Sequence, residues 1–157
     1  MITFNKENVK FTFRVAGIAI ENGMVLLHRN ALEDFWAMPG GRGELLENSK
    51  ETLKREMKEE IDVDIKVIRV IYFVENFFQF ENFTHHEVSI YYLMQVPEKF
   101  SFSSKNNSFK GKEGKLDLIF KWFKLDQLKD IRLYPTFLQY KLRDIKSYPE
   151  HIIHIDN

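Results

Sequence analysis

The chain reads as a mixed α/β protein on three observations. Runs of β-branched and aromatic residues recur on both sides of one strongly helical stretch, Pro and Gly cluster between them, and a last helical stretch opens with a proline. Phe11 to Ile20 reads as a strand, Glu21-Asn22-Gly23 turns it, and Met24 to Arg29 returns as its hairpin partner. Met38-Pro39-Gly40-Gly41-Arg42-Gly43 is a loop by its Pro and Gly content. Asn48 with Glu51, or Ser49 with its neighbours, starts a helix running to about Ile61, with Leu53, Met57 and Ile61 on one stripe. Ile65 to Val74 and Glu87 to Val96 read as strands. Ser101 to Lys115 is polar, with Asn106-Asn107 and two glycines, and is expected to be a mobile loop. Leu118 to Phe123 is a further strand, and Pro135 suits the first turn of a last helix, roughly Pro135 to Ile145.

With 157 residues and neither repeats nor a Pro/Gly-rich linker, one domain over residues 1–157 is the expectation. A globular domain of about 150 residues buries roughly 68–70% of the surface its unfolded chain exposes. The 44% hydrophobic and 15% aromatic content excludes a disordered chain. Twenty-three Lys and Arg balance 23 Asp and Glu. Zero net charge argues against bulk nucleic acid held by counterion release, while leaving room for a nucleotide in one pocket. The absence of Cys removes thiolate metal sites, thiol nucleophiles and disulfides. No apolar run reaches the ~18 residues of a membrane span. The start, MITFNKENVK, lacks the apolar core and cleavage site of a signal peptide. A soluble cytoplasmic protein is therefore expected.

The chemistry concentrates between Gly41 and Val63. Glu56, Glu59 and Glu60 stand at i, i+3 and i+4, so three carboxylates share one helix face. Like charges at that spacing cost about 0.2–0.5 kcal/mol per pair, which a divalent cation would offset. Carboxylate oxygens suit Mg²⁺, with Mn²⁺ as a substitute. The plainer alternative is a solvated face interleaved with Lys54, Arg55 and Lys58. Upstream, Gly40 and Gly41 let backbone approach a ligand closely, and the Gly41 carbonyl offers a further oxygen.

The spacing runs Gly41, five residues, Glu47, seven residues, Arg55-Glu56-Met57, one residue, Glu59-Glu60, one residue, Asp62-Val63. It resembles the Nudix box of the MutT-like hydrolases, Gly-x5-Glu-x7-Arg-Glu-U-x-Glu-Glu-x-Gly-U with U a bulky aliphatic. At roughly 7% usage per residue, six fixed matches arise by chance in about one window in ten million. Phe35-Trp36-Ala37-Met38-Pro39-Gly40, the strand Val25-Leu26-Leu27-His28-Arg29, and Trp122, Leu125 to Leu128 and Leu133-Tyr134-Pro135 are also similar to family segments, so the resemblance covers nearly the whole chain. The fold it implies is an α/β/α sandwich around a mixed sheet.

The implied activity is hydrolysis of a nucleoside diphosphate linked to a further group, by attack of water on phosphorus. The resemblance implies Glu56, Glu59 and Glu60 as metal-binding carboxylates with the Gly41 carbonyl, and Glu47 with Arg55 as the pair that holds loop and helix together. Glu113 resembles an acidic residue that several members bring in on a late loop as ligand or base; an ordinary solvated Glu is the alternative, and Glu56 is the competing base. Arg29, Lys110, Lys112 and Lys115 are candidates for phosphate contact, or plain surface cations. Asp62 departs from the pattern, standing where Gly normally ends the helix in a left-handed conformation.

Elsewhere, His85-His86-Glu87 looks metal-like, but adjacent strand residues point to opposite faces, so it reads as a hairpin rim, with a role against the substrate as the alternative. His151 and His154 read as tail residues, and Phe77, Phe78 and Phe80 either stack a base or fill the core, with at least one expected in the core. The short chain suggests a nucleoside triphosphate or sugar nucleotide as substrate and leaves room for a homodimer. The second reading, from another class, is a Nudix-fold nucleotide sensor or binding module without turnover.

Overall fold

The structure is a computed structural model, and it describes residues 1–102 and 107–157. Its elements, in order, are β1 (Thr3–Lys6), β2 (Val9–Ile18), β3 (Ile20–Glu21), β4 (Met24–Asn30), β5 (Gly40–Arg42), α1 (Ser49–Ile61), β6 (Lys66–Phe80), β7 (Phe83–Gln95), β8 (Ser108–Glu113), β9 (Leu116–Lys124), α2 (Leu138–Lys141) and β10 (Glu150–Asp156). The larger sheet runs β1-β2-β7-β6-β10, with β5 also on β2; the smaller runs β3-β4-β9-β8. Parallel pairing of β2 with β7 and of β10 with β6 makes the larger sheet mixed.

Two apolar layers follow from alternation along the strands. Val15, Tyr92 and Met94 pack with Leu26, Phe120 and Trp122 of the smaller sheet under Leu53, Met57 and Ile61 of α1. Ala16, Ile18, Val74 and Tyr91 pack with Val25 and Leu27 under Leu138 and Leu142 at α2. Helices on two sides of mixed sheets give the predicted α/β class, although α2 is a single turn rather than Pro135 to Ile145. Beyond Pro135, only Leu138 and Leu142 of that segment are buried, one turn apart, before the chain turns back into β10.

Several elements differ from the sequence reading. The turn at Asn22-Gly23 forms as expected, but it joins only Ile20–Glu21 to β4. The body of β2 pairs with β7 instead, because the chain passes from one sheet to the other at the fully buried Ala19. The expected loop at Met38–Gly43 contains β5, which sits tightly on β2: a Cβ on Gly40 would lie 2.1 Å from the Val15 carbonyl oxygen. The expected mobile loop at Ser101–Lys115 contains β8, an edge strand whose polar residues face solvent. Gly111 lets it slide under α1, where a Cβ would meet the Glu60 carbonyl oxygen at 2.8 Å. Asn106, part of the same expected loop, lies outside the described residues. The expected tail at His151 and His154 is β10, paired along Glu150–Asp156 with Tyr72–Phe78.

Candidate active site

Helix α1 starts where Asn48 accepts the Glu51 backbone N–H at 3.1 Å. It ends at Asp62, which takes the left-handed conformation (φ 54°) otherwise supplied by glycine and returns its N–H to the Lys58 carbonyl. Lys58 Nζ lies 3.0 Å from the Asp62 carboxylate, so the departure from the box pattern leaves the cap intact. With Leu53, Met57 and Ile61 buried, the acidic face of the helix turns toward Gly41 and His28.

The three carboxylates of that face stand in three different environments. Glu59 is exposed and lies 3.3 Å from Arg55 Nη1. Glu56 accepts from Arg55 Nη1 at 2.9 Å, and burial pushes its carboxyl above the usual range. A Cβ on Gly41 would fall 2.2 Å from the Glu56 carboxyl carbon, so only glycine admits that side chain against the backbone. Glu60 is 4% exposed, and burial pushes it up to about 8. Neither Glu60 oxygen has a hydrogen-bond partner among the described residues. The nearest basic atom, His28 Nδ1, is 3.6 Å away, and burial together with the Arg14 charge lowers His28 to about 3. Burial favours the uncharged form of both groups, which argues against an ion pair here.

Arg55 is the opposite case. Its Nε and Nη2 donate to the two Glu47 oxygens at 2.8 and 3.1 Å, and Nη2 also donates to the Arg42 carbonyl at 3.0 Å. Thr52 adds a hydroxyl donor to Glu47 at 2.7 Å. The Arg55 hydrogen bonds draw Glu47 down to about 2. Loop and helix are thereby tied together next to the carboxylates.

A cleft of about 680 Å³ opens beside this face, lined by Gly40, Arg42, His28, Arg29 and Glu113 near the helix, and by Asn76, Phe78, Glu87 and Tyr134 farther along. Glu113 ends β8 on the turn at Gly114, and its charge reaches both Glu60 and His28. Arg29 lines the cleft, with Nη1 donating to the Glu33 carbonyl at 2.6 Å and its guanidinium over the Trp36 ring. Lys112 is paired with Asp117 across β8 and β9. His85 stacks on Phe78 inside the cleft while His86 stacks on Phe77 on the other face, as strand alternation requires. None of Phe77, Phe78 and Phe80 is in the core: the first two are half-buried and Phe80 is exposed, because β6 and β7 extend beyond the layers that cover them. His151 pairs with Glu75, and His154 with Thr136 and Asp156, which ties β10 down.

The donor set fits a hard divalent cation. Two orphaned oxygens of a buried carboxylate, and a glycine cradle against a second one, are what a bound cation would complete. Among the described residues no three His, Asp or Glu side chains are already gathered to hold an ion unaided. Arg14 and Asn76 carry no site signal in the sequence, and His28 is legible only as a strand member; the available signal is a polar residue inside an apolar strand, as in Val25-Leu26-Leu27-His28.

The NUDIX domain model matches residues 11–142. An 8-oxo-dGTP diphosphatase of Buchnera aphidicola subsp. Schizaphis graminum (strain Sg) is 30% identical over 125 residues, 77% of this chain and 83% of that protein. Among solved structures, a MutT protein from Bacillus halodurans superposes with a TM-score of 0.60 at 18% identity, covering 92% of this chain and 90% of that one. An ADP-ribose pyrophosphatase from Streptococcus suis gives 0.56 at 16% identity, with 90% and 98% covered. A UDP-X diphosphatase gives 0.59 at 19%, and the chain spans 66% of that longer protein. At these identities the solved structures speak for the fold.

Proposed function

The chain belongs to the NUDIX domain family, and on that premise we propose that this hydrolase of pyrophosphate bonds is Mg²⁺-dependent, with Mn²⁺ as a substitute, and acts on a nucleoside diphosphate linked to a further group. A nucleoside triphosphate or a sugar nucleotide is the substrate class. NUDIX hydrolases generally use divalent metals, and the observation that carries the reading here is Glu60, a buried carboxylate with both oxygens unpartnered beside two half-satisfied neighbours. Glu56, Glu59, Glu60 and the Gly41 carbonyl would hold the cation. When bound, it neutralises diphosphate charge, polarises phosphorus and lowers the pKa of water.

The chain's own residues do the rest. Arg55 and Glu47 fix the loop against the helix, so Gly41 and Glu56 keep their spacing. Gly40 and Arg42 border the cleft where the phosphates would lie, and Arg29 lines the same wall. Glu56 and Glu113 are the two carboxylates suited to take a proton from the attacking water. Burial makes Glu56 a stronger base than an exposed carboxylate, and Glu113 stands on the facing strand end.

The test is phosphate release, after a coupling phosphatase, across a panel of nucleoside triphosphates and nucleotide sugars with Mg²⁺ or with chelator. Mg²⁺-dependent turnover of at least one compound is expected. Folded protein that binds a nucleotide with Mg²⁺ and turns over none of the panel would replace this reading with the sensor.

A further inference from the structure

On the face of the larger sheet that α1 packs against, the helix covers one end, over Val15, Tyr92 and Met94. At the other end strand register lays an apolar row across all five strands. Phe4 pairs with Phe11, Phe11 with His86, His86 with Phe77, and Phe77 with Ile155. Phe4 stacks on Phe11 at 5.1 Å, Phe11 meets His86 edge-on at 5.3 Å, and His86 stacks on Phe77 at 4.6 Å. Phe4 and Ile155 are nevertheless 61% and 64% exposed. At the β1–β2 end the row sinks into a hollow of about 480 Å³ lined by Phe4, Lys6, Glu7, Val9, Phe11 and His86. The same face also carries a protrusion. Gly43 lies so close to the Phe13 ring that a Cβ would come within 2.4 Å of it, and the turn beyond lifts Leu45 and Leu46 into solvent, the first 81% and the second wholly exposed. Leu46 holds φ 64°, whereas the other non-glycine residues at positive φ are Asn, Asp or Glu. That backbone region disfavours leucine, so neither local preference nor core burial accounts for this side chain.

We propose that this face docks a second copy of the chain, with Leu45 and Leu46 of each copy seated in the hollow of the other. Knob and hollow are neighbours: Gly43 accepts the Ile2 backbone N–H at 2.7 Å, and Phe4 is two residues, roughly 7 Å, farther along β1. A two-fold axis between them brings each knob onto the other copy's hollow, the isologous arrangement that closes a dimer. The charges at the rims are complementary, with Glu44 beside the leucines and Lys6 on the edge of the hollow. An acidic residue at the tip of the knob also disfavours an anionic lipid surface. The area suffices. At roughly 150–200 Å² for each free side chain, the exposed parts of Leu45, Leu46, Phe4, Val9, Ile153 and Ile155 offer on the order of 700 Å² of apolar surface per copy. A stable interface buries about 800 Å² on each side.

Sedimentation equilibrium tests this apart from turnover. The wild-type protein is expected at twice its 18.8 kDa mass, with a dissociation constant of about 10 µM or tighter for an interface of this size. Leu46→Glu charges the knob and Phe4→Lys charges the hollow; each should weaken the dimer at least about 10-fold. Both side chains are exposed, so the monomers should stay folded. Leu46→Gly, which suits φ 64° better, removes the knob with no risk to the fold and should dissociate the dimer as well. Mixing Leu46→Glu with Phe4→Lys should restore association as a heterodimer, because one knob and one hollow stay intact and the altered pair has opposite charges. A wild-type monomer at about 100 µM would overturn the proposal, since interfaces of this size reach µM affinity or better. A dimer that survives both charged variants, or a mixture of them that stays monomeric, would overturn it too. Wild-type monomer that binds phosphatidylcholine–phosphatidylglycerol vesicles, with binding lost in Leu46→Glu, would give the face to a lipid surface instead.

Discussion

A little over one turn apart on α1, Arg55 and Glu60 live in opposite electrostatic circumstances. The Arg55 guanidinium donates to Glu47 through two nitrogens, to Glu56, to Glu59 and to the Arg42 carbonyl. Glu60 is more deeply buried and has no hydrogen bond among the described residues. The first arrangement is finished within the protein, so it serves to hold loop and helix in place. The second is unfinished, and burying an incompletely paired acid is a cost that folding alone does not explain. The difference separates a residue that builds the site from one that awaits a ligand.

Removing the unfinished group should have the largest effect on function and the opposite effect on the fold. Glu60→Gln is expected to lower kcat/KM by about 100- to 1000-fold, in the range found when one preorganised charge-stabilising group is lost. At pH 8 the metal-free variant should melt above wild type by about 2–4 °C, the shift that roughly 1 kcal/mol gives in a chain of this size. Turnover at the wild-type rate in low Mg²⁺ would show that Glu60 is not a ligand. Arg55→Met reverses the pattern. Glu47 and Glu56 lose a charge-assisted partner, and stability in denaturant should fall by about 2–3 kcal/mol whether or not Mg²⁺ is present. Gly41→Ala is smaller again: a Cβ 2.2 Å from the Glu56 carboxyl carbon forces that side chain aside, at about 1–2 kcal/mol of overpacking. Its rate should drop along with Mg²⁺ affinity, measured by the Mg²⁺ concentration at half-maximal turnover.

The same contrast explains how much was legible in the sequence. The finished parts were readable because local rules govern them: the Asn48 cap, the buried stripe of Leu53, Met57 and Ile61, the Asn22-Gly23 turn, and the carboxylates at helical spacing. Asp62 was readable as an αL position too, since Asp tolerates that conformation. Depth was not legible. Nothing in Glu56-x-x-Glu59-Glu60 says that the first is half-buried, the second exposed and the third enclosed, because that depends on where β4 and β8 pass. Polar edge strands were missed for a related reason: β8 has the composition of a loop and forms a strand only because β9 is beside it. β10 likewise depends on pairing with β6, at the far side of the larger sheet.

The smallest effect sharpens the comparison most, because it sets acids of opposite shift against each other in the metal-free protein. Glu47 is drawn down to about 2 from 4.5, so its stabilising contribution is complete above pH 4.5 and is lost as pH falls toward 2. Glu60 is raised from 4.5 to about 8, so the folded state retains a proton that the unfolded chain releases, and stability declines as pH rises from 4.5 to 8. His28, lowered from 6.5 to about 3, takes its proton only in the unfolded chain below 6.5, and stability declines as pH falls through that window. Between pH 4.5 and 6.5 the Glu60 and His28 contributions have opposite slopes and largely cancel. Above 6.5 only Glu60 is still changing, and a single proton corresponds to at most about 1.4 kcal/mol per pH unit. Denaturant melts of the metal-free protein should therefore be flat from pH 5 to 6.5 and lose about 1–2 kcal/mol by pH 8. Glu60→Gln should flatten the upper limb and uncover the His28 slope, so that stability rises with pH between 4.5 and 6.5, while the Glu47 limb below pH 4.5 stays in place. Saturating Mg²⁺ should turn the upper limb upward, because the cation binds the ionised carboxylate and gains affinity as the proton leaves. A wild-type upper limb that stays flat without metal would mean that Glu60 is already ionised in the fold, and the contrast with Arg55 would then lose its electrostatic basis.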